Sequence, residues 1–358
     1  MRNSDYLGTY KKRMKRIGNL KSSWCNYEAL HKAFYEVKKN KSYYHSIIEF
    51  ESNLVSNLNR ILISLEDGTY KVQPTRDFYI TDPKVRLIQA PQFEDRIVQH
   101  AVLNSIREKV ECKFIDQTFA CIKGRGTHSA SDLLKRYLVN YKNEGYYLKV
   151  DIKKFFYTIN HKVLDYQLSR IIKCKPTLEL LKKFYKDGTG KGLPLGNVTS
   201  QLFANLALNP IDHLLKRVLK CIHVIRYMDD IVILSKSKTF LHQVLEILKQ
   251  LLAKLKLVTN KKTQIGLIAD GIDFVGYRTW FNNRLIRKRS LYKIKRVLKK
   301  HPDINRIASY LAHSKRTNSL IYVLMQMVKV IDSLLLEFVK TWLIKNKEKG
   351  EYHAIFQS

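Results

Sequence analysis

The segment HVIRYMDDIVIL, residues 223–234, places two adjacent carboxylates, Asp229 and Asp230, in the middle of an apolar, β-branched run. Such a run favours a β-strand, whereas acids are depleted from strand interiors. Neighbouring carboxylates also repel each other. A hairpin with the acids at its tip accommodates both features, and for an isolated pair of acids a solvated turn explains them as well.

A third acid favours a functional site over a solvated turn. Asp151 ends a separate β-prone segment, GYYLKVD, residues 145–151. If one sheet brings these strand ends together, three carboxylates share an edge, and hard Mg²⁺ ions prefer such oxygen ligands. Two divalent ions about 3.5–4 Å apart activate the attacking oxygen and stabilise the leaving oxygen in phosphoryl transfer. The sequence therefore predicts the two-metal site of a nuclease or a polymerase.

The charge of the chain indicates its partner. The 358 residues include 65 Lys and Arg against 31 Asp and Glu, a net charge of +34, which favours binding to nucleic acid. The apolar content of 45% argues against a disordered chain. The five cysteines form no CxxC pair, which is typical of reduced thiols in the cytoplasm. Charged residues interrupt the most apolar window, residues 320–339, so we predict a core helix there and no membrane partner.

The order of patterns predicts an α+β fold. Turn signals inside β-prone residues 75–92 predict a hairpin, and a second hairpin is expected at residues 271–290. A leucine stripe at residues 241–255 predicts an amphipathic helix packed on a sheet. Residues 290–350 have a helical pattern throughout. We therefore expect a mixed centre followed by a helical C-terminal lobe.

Basic residues upstream of the acids favour polymerase over nuclease. Arg86, and with it Lys84, lies in the first predicted hairpin, where a guanidinium can bind a triphosphate with two hydrogen bonds. Lys123 and Arg125 flank glycines in a loop that suits either phosphate contacts or a solvated basic surface. Of the aromatic pair at 155 and 156, one is expected in the core and the other against the nucleotide sugar.

At this point the residues resemble a known family. YMDD resembles the YxDD signature of reverse transcriptases, and other family motifs occur in the family's order over about residues 75–280. These segments are KVRLIQAPQFEDRIVQHAV, FACIKGRGTHSA, VDIKKFFYTI, LPLGNVTSQLFANL, LKLVTNKKT and FVGYR. The resemblance implies an RNA-directed DNA polymerase with a right-hand fold. Its expected parts are an N-terminal extension and fingers (1–145), a palm with an antiparallel sheet packed on helices (146–287) and a short helical thumb (288–358).

The resemblance also assigns roles to individual residues. The metal-binding and catalytic positions are Asp151, Asp229 and Asp230, with the backbone of Ile152. The nucleotide-binding positions are Arg86, Lys84, the steric-gate aromatic Phe156, Gly196, Gln201 and Lys262, with Lys261 as the alternative to Lys262. The template and primer positions are Tyr227, Met228, Leu195, Gly276, Tyr277 and Arg125, and Met228 is equally compatible with the core. The implied cofactor is a pair of Mg²⁺ ions, for which Mn²⁺ is a possible substitute.

The subtype depends on LGNVTSQ, residues 195–201. Group II intron-type enzymes usually have QGxxxSP here, so Leu195 replaces a Gln and Gln201 replaces a Pro. This form resembles the reverse transcriptases of diversity-generating retroelements, whose copying is error-prone. A leucine cannot make the amide contact near the sugar, which would loosen selection of the base pair.

The resemblance implies partners and leaves alternatives open. The expected partners are dNTPs, an RNA template, a DNA or RNA primer, a structured non-coding or template-repeat RNA, and a small basic helical accessory protein oligomer. The expected setting is the cytoplasm, with a bacterial or phage gene. An anti-phage defence reverse transcriptase with a non-coding RNA shares the same motifs. A non-catalytic RNA-binding scaffold is disfavoured, since a scaffold has no reason to hold three repelling carboxylates together.

Overall fold

The protein is represented by a computed structural model, which describes residues 16–41, 44–81, 84–300 and 304–329. The chain divides into two compact units. Unit 1 comprises Met1–Ala130 and Gly145–Gly266, and unit 2 comprises Ser131–Glu144 and Leu267–Ser358. The predicted turn at residues 82–83 and the part of the predicted thumb at 330–358 lie outside the described residues.

Helices form most of unit 1. Their bounds are α1 (Lys21–Trp24), α2 (Tyr27–Lys38), α3 (His45–Ser52), α4 (Leu54–Glu66), α5 (Phe93–Glu111), α6 (Thr127–Val139), α7 (Phe155–Thr158), α8 (His161–Ile171), α9 (Lys175–Lys183), α10 (Val198–His213) and α11 (Lys238–Lys254). Side chains of Asn26, Asn160 and Ser237 cap the N-termini of α2, α8 and α11. Helix α6 continues from unit 1 into unit 2. The predicted leucine-rich helix is α11.

The predicted first hairpin is present. Strands β1 (Arg76–Ile80) and β2 (Arg86–Ala90) pair antiparallel. Every residue of β1 is exposed, so the hairpin has no buried face along this strand. The amide of Gln89 donates to the carbonyl of Leu195 at 2.7 Å, which ties the end of β2 to the turn before α10.

A five-stranded sheet lies at the centre of unit 1. Its strands are β3 (Thr118–Phe119), β4 (Tyr146–Asp151), β5 (His223–Tyr227), β6 (Asp230–Ser235) and β7 (Gln264–Leu267). Their order in the sheet is β3-β5-β6-β4-β7. The pairs β5–β6 and β4–β6 are antiparallel, as expected for this sheet, whereas β3 runs parallel to β5.

Successive side chains of the central strands point to opposite faces of the sheet. Leu148 and Val150 of β4, with Ile231 and Ile233 of β6, are fully buried in the main core. Helix α11 packs against both strands. Lys149 and the strand-end acids therefore lie on the opposite face. Val232 and Leu234 of β6 share the face of Asp230 and are also buried, so β6 is apolar on both faces behind its first residue. A one-residue shift of β4 would move Asp151 and Lys149 to the other face.

Unit 2 combines a small sheet with helices. Strands β8 (Ile272–Phe274), β9 (Tyr277–Thr279) and β10 (Arg284–Ile286) form an antiparallel meander, so the second hairpin predicted from the sequence has three strands. Helices α12 (Lys288–Lys300) and α13 (Ile304–Ser314) follow, and residues 320–329 are helical. Among the described residues, no helix has the length and apolar character needed to cross a bilayer.

Candidate active site

The three predicted acids lie at two paired strand ends and in the adjoining turn. Asp151, the last residue of β4, is the register partner of Asp230, the first residue of β6. Asp229 belongs to the two-residue turn that joins β5 to β6. The sequence expectation that separate strand ends place these acids at one edge is therefore confirmed for the backbone.

The backbone hydrogen bonds of Asp151 indicate which kind of register pair it forms with Asp230. Its amide donates to Oγ1 of Thr263 at 3.3 Å. Its carbonyl accepts from the amide of Asn260 at 2.6 Å and from Oγ1 of Thr263 at 3.3 Å. Because both groups are bonded away from β6, Asp151 and Asp230 form a non-hydrogen-bonded pair, the kind in which facing side chains lie closest.

The electrostatics of Asp229 fit a crowded acidic site. Burial raises the pKa of the Asp229 carboxyl, and the neighbouring carboxylate of Asp151 raises it further. The positive charges of Arg86 and Arg226 act in the opposite direction on the same pKa. Ionising Asp229 is thus costly without a nearby cation, and a bound cation would lower that cost.

Lys149 supplies one cation at this face. It lies two residues before Asp151 on β4 and therefore points to the same side of the sheet. Its Nζ lies 3.2 Å from Oδ2 of Asp230, with the two side chains 16% and 27% exposed. Sequence reasoning missed this residue, although the i, i+2 spacing from Asp151 was a signal for it.

The donor set fits hard divalent cations. Three carboxylates from two strands and a turn offer oxygen ligands, the type that Mg²⁺ and Mn²⁺ prefer. The carbonyl of Ile152 is the predicted fourth oxygen. The bonds Lys153 N to Val258 O and Asn260 N to Asp151 O flank it, and neither uses the backbone groups of Ile152. As the side chains stand, no three His, Cys, Asp or Glu groups in the described segments are close enough together to hold an ion.

The turn that carries Asp229 has an unusual backbone. Met228 has a φ of +56°, a left-handed conformation that is uncommon for residues other than glycine. Two-residue hairpin turns use positive φ at the first central position, where glycine is favoured. The Met228 side chain packs against the main core, so the structure agrees with its interpretation as a core residue. Tyr227 is half-buried beside it, and burial raises the pKa of its hydroxyl.

Of the two phenylalanines, Phe155 is buried, at 2% exposure, and Phe156 is half-buried. Phe155 is thus the core residue of the pair, whereas Phe156 is partly buried and packs against the same core. The contact of Phe156 with a nucleotide sugar stays a prediction. The carbonyl of Phe156 accepts from the amide of Leu193 at 2.7 Å. That bond joins the segment after Asp151 to the turn before α10.

In that turn the backbone of Gly196 lies close to the backbone of β2. Its φ is +138°, and an added Cβ would lie 2.5 Å from the carbonyl oxygen of Gln89. A larger residue would have to displace β2. Leu195 is half-buried, and Gln201 is exposed on the first turn of α10. The positions predicted to meet a nucleotide thus adjoin the hairpin that carries Arg86.

The predicted basic contacts differ in their surroundings. Arg86 at the start of β2 is exposed and acts electrostatically on Asp229. Lys84, Lys261 and Lys262 are also exposed. Arg125 is engaged within its own loop, where Nη1 donates to the carbonyls of Ile115 at 3.1 Å and Thr118 at 3.4 Å.

Gly276 and Tyr277 lie in unit 2. Gly276 has a φ of +92° in the turn between β8 and β9. Tyr277 is fully buried, and its hydroxyl lies 3.0 Å from Nδ1 of His313. The contact of these two residues with a primer remains a prediction.

A cavity of about 440 Å³ occurs elsewhere in unit 1. Residues 112–117 line one side, and Asn209, His213, Lys216 and Arg217 line the other. It contains none of the residues predicted to be catalytic or nucleotide-binding.

The fold and the paired acids agree with the family comparison. The family model described as reverse transcriptase (RNA-dependent DNA polymerase) matches residues 80–279, more than half of the chain. The chain therefore belongs to the reverse transcriptase family, as its motifs predicted.

The chain is similar in sequence to several individual proteins. The group II intron-encoded protein LtrA of Lactococcus lactis subsp. cremoris is 31% identical over 43% of this chain and 27% of its own length. Protein YkfC of Escherichia coli K12 is 28% identical over 71% of this chain and 77% of its own. The retron Ec73 reverse transcriptase of Escherichia coli is 25% identical over 68% of this chain and 83% of its own length. The match thus spans about a quarter of LtrA and most of the other two.

Proposed function

We propose that this protein is an RNA-directed DNA polymerase whose active site is the part of unit 1 that carries Asp151, Asp229 and Asp230. The observation that carries the proposal is the pairing of Asp151 with Asp230 beside the Asp229 turn. Three acids held by different elements on one face repel each other, and such an arrangement is typical of a site that binds cations for catalysis.

The proposed cofactor is a pair of Mg²⁺ ions, with Mn²⁺ as a substitute. Asp151, Asp229 and Asp230, with the carbonyl of Ile152, would hold them. When bound, the ions would lower the charge cost of attack by a primer oxygen on a nucleotide phosphate. The remaining steps depend on residues of this chain that bind and orient the nucleotide.

We assign Arg86 to the triphosphate of the incoming dNTP. A guanidinium at the start of an exposed hairpin is accessible to a ligand, and its influence on Asp229 supports its closeness to the acids. Phe156 is assigned to the sugar, since it is the half-buried member of its pair. Gly196 and Gln201 are assigned to the same nucleotide side, and Lys262 to the departing pyrophosphate.

We propose Leu195 and Gln201 as the residues that set the subtype, an error-prone enzyme of a diversity-generating retroelement. Its partners would be a template-repeat RNA, a primer and a small basic helical accessory protein oligomer. An anti-phage defence enzyme working with a non-coding RNA is the second candidate, because it shares the same motifs. A template and variable repeat pair beside the gene would favour the first candidate, and a phage-defence locus the second.

The proposal is tested by primer extension on an RNA template with dNTPs and Mg²⁺. Wild-type protein should extend the primer, and Asp229→Asn and Asp230→Asn should each reduce the rate by at least about 10³-fold, a loss comparable to removal of a main catalytic group. Asp187→Asn removes an exposed acid bonded to Thr189 and serves as the matched control. Equal inactivity of wild type and variants, with every template, RNA and accessory protein supplied, would favour the scaffold alternative.

A further inference from the structure

Arg226 is a fully buried arginine in β5, two residues before Met228. Burying a charge is expensive unless the charge is paired and all its donors are hydrogen-bonded. The family motif assigns no role to this residue. Its contacts therefore require an explanation of their own.

All five N–H donors of the Arg226 guanidinium have acceptors. Nε and Nη2 donate to the two carboxylate oxygens of Asp212 at 2.7 and 2.6 Å. Nη1 donates to Oδ1 of Asn205 at 3.0 Å, and Nη2 donates to the Asn205 carbonyl at 3.3 Å. The remaining donor of Nη1 reaches the carbonyl of Met228 at 3.0 Å. The planar fork thus links a buried carboxylate to the backbone of the turn that carries Asp229.

The acceptors are fixed from outside the turn. Asn205 and Asp212 lie seven residues apart on α10, hence on one face two turns apart. Oγ1 of Thr118 in β3 donates to Oδ2 of Asp212 at 2.8 Å. Nδ2 of Asn205 donates to the carbonyl of Ala120 at 3.0 Å. Both acceptor residues are at most 1% exposed, so the guanidinium is held by buried groups of α10.

We propose that Arg226 is a positioning residue for the catalytic turn. Its Nη1 bond holds the Met228 carbonyl while Met228 remains left-handed, and this fixes where Asp229 stands relative to Asp151 and Asp230. A left-handed methionine costs free energy that a two-residue turn alone does not offset. The proposal rests on the proposed function, because it concerns the acids assigned to the metal ions.

Lysine cannot replace arginine in this role. An ammonium is a point charge that can neutralise Asp212, but it lacks the planar fork that reaches Asp212, Asn205 and the Met228 carbonyl together. Arg226→Lys is therefore the informative substitution. It keeps the buried charge pair and removes the connection to the turn.

The first test measures Mn²⁺ binding by electron paramagnetic resonance, without template, primer or dNTP. Arg226→Lys should weaken Mn²⁺ binding by about 10-fold or more, the usual cost of removing a group that orients metal ligands. In primer extension with Mg²⁺ it should lower kcat by a similar factor and leave the KM for template–primer unchanged. Thermal unfolding shows whether the variant is folded.

Thr118→Val is the matched control. It removes a hydrogen bond from the same buried carboxylate, Asp212, and leaves every contact between Arg226 and the turn in place. It should lower the melting temperature and leave Mn²⁺ binding unchanged. A loss of Mn²⁺ binding equal to that of Arg226→Lys would mean that general loosening of the core is the cause, and would overturn the positioning role.

A rescue experiment adds a second criterion. Glycine adopts positive φ without the penalty that methionine carries, so Met228→Gly added to Arg226→Lys should restore part of the Mn²⁺ affinity. If Arg226→Lys does not fold, Asn205→Ala removes one acceptor of Nη1 and should give a weaker loss in the same direction. A folded Arg226→Lys, or in its place a folded Asn205→Ala, with wild-type Mn²⁺ binding would overturn the proposal.

The two proposals can fail separately. If wild type extends no primer but Mn²⁺ binding is lost in Arg226→Lys and kept in Thr118→Val, the polymerase proposal fails and the positioning role stands. If wild type is an active polymerase and Arg226→Lys matches it in both assays, the positioning role fails alone.

Discussion

Each unit contains a buried arginine, and the two differ in how completely their guanidinium donors are hydrogen-bonded. Arg226 of unit 1 has all five donors bonded, and its partner Asp212 is equally buried. Arg284 of unit 2 is 3% exposed, and its Nη1 and Nη2 donate to Asp132 Oδ1 at 2.7 Å and Ser131 O at 3.0 Å. Its Nε has no hydrogen-bond partner among the described residues.

The partners show what each arginine holds. Arg284 connects β10 to α6, and its guanidinium lies over the Tyr277 ring at 5.8 Å. Its carboxylate, Asp132, is 38% exposed and also binds Arg316 at 2.7 Å. Arg226 instead reaches a turn that presents Asp229. The Arg284–Asp132 pair, which connects two elements, leaves one guanidinium donor without a hydrogen bond within the described part of the chain. The Arg226–Asp212 pair, which lies behind the proposed catalytic turn, has every guanidinium donor hydrogen-bonded.

The largest expected effect is that of Arg226→Met. It leaves Asp212 buried with one hydroxyl donor, and breaking a buried pair on one side costs about 3–5 kcal/mol. Urea unfolding, followed by hydrogen exchange of peptides from unit 1, measures the loss. Adding Asp212→Leu should recover much of the stability, because replacing both partners by apolar groups is often neutral. A loss below that of the matching substitution in unit 2 would break the comparison.

Arg284→Met is that matching substitution and should cost less. Asp132 keeps Arg316 and contact with water, so the expected loss is about 1–3 kcal/mol, mainly from unpairing the Ser131 carbonyl. Hydrogen exchange of peptides from β8–β10 and α6 reports the change. The comparison fails if unit 2 loses as much protection as unit 1 does in Arg226→Met.

A pH effect is expected for unit 1 through His213, the residue after Asp212. Burial lowers the pKa of the His213 imidazole, and Nε2 donates to the Lys113 carbonyl at 2.8 Å. The unfolded chain therefore binds a proton at higher pH than the folded one, so stability is lost as pH falls below about 6.5. The slope contributed by one such group is at most about 1.4 kcal/mol per pH unit. Urea unfolding of unit 1 at several pH values measures it, and His213→Gln should flatten the profile. An unchanged profile in that variant would contradict the assignment.

The smallest effect is expected for Arg316→Ala. Arg316 is 57% exposed, and exposed ion pairs contribute about 0.2–1 kcal/mol. Lys249→Ala, which removes an exposed pair with Glu246 in unit 1, is the control. Both melting temperatures should fall slightly, and less in high salt. A loss for Arg316→Ala near that of Arg284→Met would show that Asp132 depends on the exposed partner.

The acids could be predicted from the sequence because each interrupts an apolar strand pattern. The ends of β4 and β6 that carry Asp151 and Asp230 adjoin in one sheet, as expected, and the hairpin at β5–β6 follows from the apolar run around Asp229 and Asp230. The Arg226 network could not be predicted, since its partners lie 14 and 21 residues earlier on α10. The available signal was the polar pair Asn205 and Asp212, seven residues apart on a helix that is mostly apolar. Pairing across elements depends on packing, which periodicity does not specify.

The third strand of the unit 2 sheet and the parallel β3 were also missed. Strands of two or three residues, such as Thr118–Phe119, are too short to show an alternating apolar and polar pattern in the sequence. Lys149 was missed for a different reason. Its partner, Asp230, lies on another strand, so only the register reveals the ion pair.

The central claim is that Asp151, Asp229 and Asp230 form one divalent-cation site. Mn²⁺ titration of the protein alone, followed by electron paramagnetic resonance, tests it most directly. Asp151→Asn should weaken Mn²⁺ binding by about 10-fold or more, and so should Asp229→Asn, although the two residues lie on different elements. Unchanged Mn²⁺ binding in either variant, with the fold intact, would contradict the claim.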